Sequence, residues 1–217
     1  MTDADTPVLY SFPLCANAYR ARILLDYLAV SYQTRMIDLS KGEHHSPDFL
    51  KINPLGQLPV LVDGSVTLWD SHTIIAYVAD RYRGSIAENI WPSSPTERSQ
   101  IAKWMFFDAV ELHFGIGLAR NHHAFGVALE VESAEKRALK ALGVLENHLG
   151  TRRWLEFDRL TLADLCCYPL VSVADEARID LARFPAVGKW VARIELLPIP
   201  PRPSLAAYRK SLQGAAR

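Results

Sequence analysis

Val8-Leu9-Tyr10-Ser11 is a short β-prone run, and a turn containing Pro13 separates it from residues 19–30, whose apolar positions recur at helical spacing. Residues 32–39 predict a second strand. Ser46-Pro47-Asp48 predicts a short helix with Ser at the N-cap and Pro at its first position. Residues 59–68 alternate as a hairpin in which Asp63-Gly64 supplies the turn, and Asp70-Ser71 caps a helix over 73–82. The predicted order is β-α-β-α-β-β-α. Residues 84–94 then change to Gly, Ser, Asn and Pro and read as a linker. Beyond it strand alternation stops, and amphipathic patterns over 96–122, 130–149, 161–174 and 185–194 predict helices alone. Two units follow from this change of period: an α/β unit over 1–83 and an all-helical unit over 95–217.

Composition narrows the function classes. The 217 residues carry 24 Lys+Arg against 24 Asp+Glu, a net charge of zero, with 49% hydrophobic and 22% charged residues. Those proportions predict a globular chain. A neutral protein has no summed field to attract a phosphate backbone or an anionic bilayer, so neither nucleic acid nor membrane is an expected partner. Its apolar runs fall short of the roughly 20 residues that span a bilayer. Residues 1–7 carry Asp3 and Asp5 and lack the basic and apolar regions of a secretory signal. Cys15 stands alone and Cys166-Cys167 are adjacent, which makes no disulfide framework and points to the reducing cytoplasm.

Particular residues then suggest a family. Asn53-Pro54-Leu55-Gly56-Gln57-Leu58-Pro59-Val60-Leu61, Asp70-Ser71 followed by Ile74, Ile75 and Tyr77, Leu160-Thr161-Leu162-Ala163-Asp164-Leu165, and Phe184-Pro185-Ala186-Val187 with Trp190 occur in order over roughly residues 7–200. This series resembles the cytosolic glutathione S-transferases, with most likeness to the bacterial beta class. The resemblance implies a thioredoxin-like N-terminal domain with a mixed four-stranded sheet, an all-α C-terminal domain, glutathione as co-substrate, an apolar electrophile and a homodimer. It also implies a cis peptide before Pro59, which turns the Leu58 backbone toward the cysteinyl residue of the tripeptide. Ser71, with Asp70, is placed at a helix N-terminus suited to the γ-glutamyl carboxylate. His44, His45, Lys41 and Gln57 lie where the family often contacts the glycine carboxylate; a solvated loop is the plain alternative.

The thiol-activating residue falls in Ser11-Phe12-Pro13-Leu14-Cys15-Ala16-Asn17. Cys15 takes the position of the beta-class cysteine, and Glu111-Leu112-His113 resembles that class's segment whose histidine faces it. A cysteine at a helix N-terminus near an imidazole is expected to have a depressed pKa. Cys15 would then attack a glutathionyl disulfide or donate its S–H to a bound thiolate, whereas an inert buried cysteine needs neither. Asn17, through an S-x-N likeness, and Ser11, through a gapped register, are its rivals.

Thr161 and Asp164 read as a capping box closed by a Leu160–Leu165 staple. His122-His123 and Cys166-Cys167 lack the spacing of metal ligands, so no metal is expected. Phe12, Trp104, Phe107 and Phe114 are candidate walls for the electrophile, although aromatic helix stripes are usually core. Three other functions remain: a Cys15-dependent glutathione disulfide reductase, a glutathione-dependent isomerase, from whose Ser-x-Cys pattern Cys15-Ala16-Asn17 departs, and a ligand binder without turnover.

Overall fold

Strand β1 (Val8–Ser11) buries alternate residues, as a strand must when its two faces meet different layers. It pairs in parallel with β2 (Gln33–Met36) and antiparallel with β3 (Val60–Asp63), which continues antiparallel to β4 (Val66–Trp69). The mixed four-stranded sheet has the order β2-β1-β3-β4. The structure is a computed structural model describing residues 6–215. Residues 1–5, including Asp3 and Asp5, on which the expectation of no secretory signal mainly rests, lie outside the described residues.

Two helices cover one face of the sheet. α1 (Ala16–Tyr27) starts earlier than its periodicity suggests because Cys15 caps it, and α3 (Ser71–Arg81) starts at Ser71 because Asp70 is its N-cap. Asp70 Oδ1 accepts from the backbone N–H groups of His72 and Thr73 at 2.9 and 3.0 Å, so Ser71 is the first helical residue and not the cap. On the other face α2 (Pro47–Ile52), capped by Ser46 as its sequence predicts, brings Phe49 onto Ile37 and Val60. In the β3–β4 hairpin Asp63 pairs with Val66, so Gly64-Ser65 forms the loop in place of Asp63-Gly64, with Gly64 in the left-handed region at φ 59°.

Residues 84–94 are not an irregular linker. Ala87, Ile90 and Trp91 recur at helical spacing and are buried, and they fold 85–90 into α4 (Ser85–Ile90). One continuous helical course follows: α5 (Pro95–Phe107), a π-helical segment (Asp108–Gly117) and α6 (Leu118–Phe125). The wider π turns are the departure from the expected uninterrupted α-helix. Gly115 lets this segment touch α7 (Val131–Leu149), since a Cβ there would come within 2.8 Å of Ala138 Cα. Gly115→Ala therefore overpacks the contact, and urea unfolding is expected to show a loss of about 1–3 kcal/mol.

α8 (Leu162–Val171) is buried along its whole length, and it ends two residues past Pro169 instead of continuing to 174. Asp164 closes the capping box, accepting from the Thr161 N–H and hydroxyl at 2.9 and 3.0 Å. α9 (Pro185–Ile194) follows its periodicity, whereas α10 (Leu205–Ala215) carries no strong sequence signal. One apolar core joins the halves: Tyr19 of α1 packs on Tyr168 of α8, which packs on Trp190 of α9. No helix among the described residues is long and apolar enough to cross a membrane.

Candidate functional site

Two clefts meet where the sheet's loops face the helical half. The smaller, of about 350 Å³, is lined by the 53–59 loop, the start of α3 and the π segment, including Gln57, Leu58, Pro59, Asp70 and Ser71. The larger, of about 710 Å³, lies between the β1–α1 loop, α6 and α10, with Phe12, Cys15, Arg120, Phe125, Leu170 and Tyr208 among its walls. Asn17 and His113 line both. A polar slot opening into a mostly apolar chamber is the form of a site for two different molecules.

The 53–59 loop is rigid for identifiable reasons. Asn53, 1% exposed, donates to the Gln57 carbonyl at 2.7 Å and accepts from the Leu55 N–H at 3.0 Å, while Gly56 takes φ 60° against the His44–His45 turn. The Leu58–Pro59 peptide is cis. A Cβ on Gly56 would meet His45 Nδ1 at 2.8 Å, so His45 packs behind the loop and does not line the cleft. Lys41, 74% exposed and paired with Asp38, also lies outside it.

Cys15 sits at the N-cap of α1. Its sulfur accepts from the Ala18 N–H at 3.4 Å and lies 3.8 Å from the Leu58 carbonyl, to which the S–H donates. Burial pushes its pKa up, and the N–H groups of Ala18 and Asn17 with the charges of Arg120 and Arg20 only partly offset this. The expected depressed pKa is therefore corrected: helix geometry acts in the anticipated direction and desolvation is larger. His113 borders the same chamber, but no hydrogen bond joins it to Cys15 among the described residues. Burial holds His113 below the ordinary histidine value despite the opposing pull of Asp108, so it stays neutral.

Three further expectations change. Ser11 is fully buried, its hydroxyl has no hydrogen-bond partner, and it lines neither cleft. Trp104, 6% exposed, turns its Nε1–H to Glu156 at 2.8 Å, and Phe107 packs edge-on against it. Both therefore serve packing, away from the clefts. Phe12 borders the apolar chamber, and Phe114 borders the polar slot instead.

A buried charged network, which no sequence motif announces, stands behind the polar slot. Arg20 and Asp108 are both fully buried, with Arg20 Nη2 2.5 Å from Asp108 Oδ2. Arg20 also donates to Asn17 Oδ1 at 3.0 Å, Ser71 Oγ at 2.6 Å and the Cys166 carbonyl at 2.8 Å. His72 Nε2 donates to the same Asp108 oxygen at 2.8 Å. Burial alone would lower the His72 pKa, but Asp108, Asp70 and Cys166 push it up to about 11, so this imidazole is a cation. Arg120, 4% exposed, props the β1–α1 loop through the Leu14 carbonyl at 2.9 Å and is anchored by Glu176 at 2.8 Å. The available signal was a lone Asp within Phe106-Phe107-Asp108-Ala109-Val110 and a lone Arg within Ala18-Tyr19-Arg20-Ala21, since charges in apolar runs are rarely buried unless paired.

His72, Asp108 and Cys166 bring potential metal-ligating atoms within 4.8 Å of one another. The Arg20 guanidinium already supplies a cation to that carboxylate, and a protonated His72 has no lone pair to offer, so these residues fit an ion-pair network better than a metal.

Comparison with known proteins identifies both halves of the fold. Residues 6–80 match the glutathione S-transferase N-terminal domain and residues 107–198 its C-terminal domain. The solved glutathione S-transferase from Pseudomonas fluorescens Pf-5 is 30% identical, with a TM-score of 0.82 over 90% of this chain and 98% of that one. Ure2p in complex with S-hexylglutathione is 27% identical, with a TM-score of 0.82 over 95% of this chain and 99% of that one. The transcriptional regulator URE2 of Saccharomyces cerevisiae is 28% identical over 84% of this chain, and the chain spans 63% of that protein's length. With both halves matched in order, this chain belongs to the glutathione S-transferase family.

Proposed function

We propose that the protein is a cytoplasmic glutathione transferase, binding reduced glutathione in the polar slot of its 1–83 unit and an apolar electrophile in the chamber shared with its 95–217 unit. The observation that carries this reading is the junction of the clefts, where Asn17 and His113 line both and the Cys15 sulfur reaches the Leu58 carbonyl. The Leu58 backbone pairs with the cysteinyl residue, Ser71 and the α3 N-terminus hold the γ-glutamyl carboxylate, the ionised Asp70 faces the γ-glutamyl ammonium, and Gln57 reaches toward the glycine end. The glutathione sulfur then lies at the mouth of the chamber. A second copy is the expected protein partner, for which exposed Trp69, Phe106 and Val110 offer apolar surface.

Cys15, kept protonated by burial, turns its S–H from the Leu58 carbonyl to the glutathione thiolate when the tripeptide takes that carbonyl. That thiolate attacks the electrophilic carbon, a carbon–sulfur bond forms, and the leaving group departs with its electron pair. The place of Cys15 in the wall of the chamber also favours a second reading, in which Cys15 takes glutathione from a mixed disulfide; burial makes this slower because Cys15 must first ionise. Because a relative is a transcriptional regulator, ligand binding without turnover is the reading to exclude.

Calorimetry with glutathione, conjugation of an aryl halide and reduction of a glutathionyl disulfide separate these readings. Cys15→Ala is expected to slow conjugation about tenfold, the loss of one hydrogen bond to a charged sulfur, and to abolish disulfide exchange. Cys15→Ser restores conjugation alone. Unchanged rates in both assays for Cys15→Ala would remove Cys15 from the chemistry, and binding with neither activity in the wild type would leave a ligand binder.

A further inference from the structure

We propose that Arg20 is the positioning residue of the glutathione slot: one buried guanidinium turns both Asn17 and Ser71 into donors facing the ligand and locks them to the helical half. This rests on the glutathione reading above. A guanidinium carries donors only, so whatever touches it must present an acceptor. Asn17 therefore meets Arg20 Nη1 with Oδ1, which leaves its NH2 group for the junction of the clefts. Ser71 meets the same nitrogen with the lone pairs of Oγ, which leaves its hydroxyl hydrogen for the slot. Free in solution, an Asn amide flips and a Ser hydroxyl rotates. Here both dipoles point their positive ends outward before any ligand arrives, one toward the thiol end and one toward the γ-glutamyl end. The two groups that bind there, a thiolate and a carboxylate, are both anions, so a fixed donor at each end needs no reorganisation on binding.

The remaining donors fix the guanidinium itself. Nη2 bonds Asp108 on the π segment and Nε bonds the Cys166 carbonyl on α8, so the orientation of two residues in the α/β half is referenced to two elements of the helical half. Asn17 and Arg20 are three apart on α1 and share a face, which makes the reach short. A lysine supplies charge at this position without the planar fork, and cannot meet four acceptors spread around it. Arg20 lines neither cleft and acts only through its neighbours.

Arg20→Lys and Asn17→Asp test this, each measured by calorimetric titration with glutathione and by the pH dependence of the bound thiolate's ultraviolet absorbance. In folded Arg20→Lys, glutathione is expected to bind about ten- to a hundredfold more weakly, with the bound thiol's pKa raised by about one unit. Asn17→Asp keeps the size and an acceptor for Arg20, so it folds, but it turns an acceptor toward the sulfur and is expected to raise the bound thiol's pKa by at least as much. A wild type that binds no glutathione overturns the proposed function itself. A wild type that binds it, with Asn17→Asp leaving the thiol pKa unchanged, overturns the Arg20 proposal alone, as does a folded Arg20→Lys with unaltered affinity and thiol pKa.

Discussion

Asp108→Ala is expected to lower the unfolding free energy by about 3–5 kcal/mol, the cost of leaving a buried cation without its partner. Asp108 is fully buried and its Oδ2 receives both Arg20 Nη2 and His72 Nε2. Removing it strands Arg20 in the core with only neutral acceptors and deprives His72 of its strongest partner. Urea unfolding of the variant measures the loss; a change under about 1 kcal/mol would show that the pair is solvated and marginal.

The same network sets a pH dependence. His72 has a folded pKa of about 11 against an ordinary value of 6.5, so its stabilisation is fully present below about pH 6.5 and is lost as pH rises toward 11. Asp70, held well below the usual carboxylate range first by its hydrogen bond to His72, contributes in the opposite sense: fully above about pH 4, and fading in stronger acid. Wild-type stability should decline on the alkaline side, and Asp108→Ala should flatten much of that limb.

Asp164→Ala is expected to cost a comparable 3–5 kcal/mol, at about 1–3 kcal/mol for each donor left unpaired in the interior and less than full additivity. Asp164 Oδ1 accepts from the Leu155 N–H and from Trp190 Nε1, both at 2.9 Å, and Oδ2 takes the Thr161 N–H and hydroxyl. One carboxylate thus ties the start of α8, the 155 turn and α9 together. Burial still pushes its pKa up to about 6 over the opposing pull of these donors. The ionised form is therefore less at home in the folded protein, and this group's contribution is largest below about pH 4 and shrinks as pH rises through 6. A midpoint shift in thermal unfolding reads the loss, and an unchanged midpoint would mean that water replaces the carboxylate.

What the sequence conveyed was local. The Thr161–Asp164 capping box, the Ser46-Pro47 helix start and the 53–59 loop are each written within a few adjacent residues, and each folds as read. Leu58, Pro59, Gln57, Asp70 and Ser71 line one cleft, and two short motifs of the family resemblance had already grouped them. The Arg20 network was not, because its partners Ser71 and Asp108 stand 51 and 88 positions away and periodicity holds no information about such meetings. Trp104 and Phe107 show the same limit from the other side: helical spacing names the residues that share a face and is silent about which neighbour that face meets. For Cys15 the helix-end contribution could be read, but its burial in the folded chain could not, and burial decides the sign.

A crystal structure with reduced glutathione bound is the most direct check on the whole reading. The expected result places the sulfur within about 3.5 Å of the Cys15 sulfur or Asn17 Nδ2 at the junction of the two clefts, with the γ-glutamyl carboxylate at Ser71 and the α3 N-terminus. A tripeptide seated elsewhere, or one whose sulfur turns away from both side chains, would contradict it.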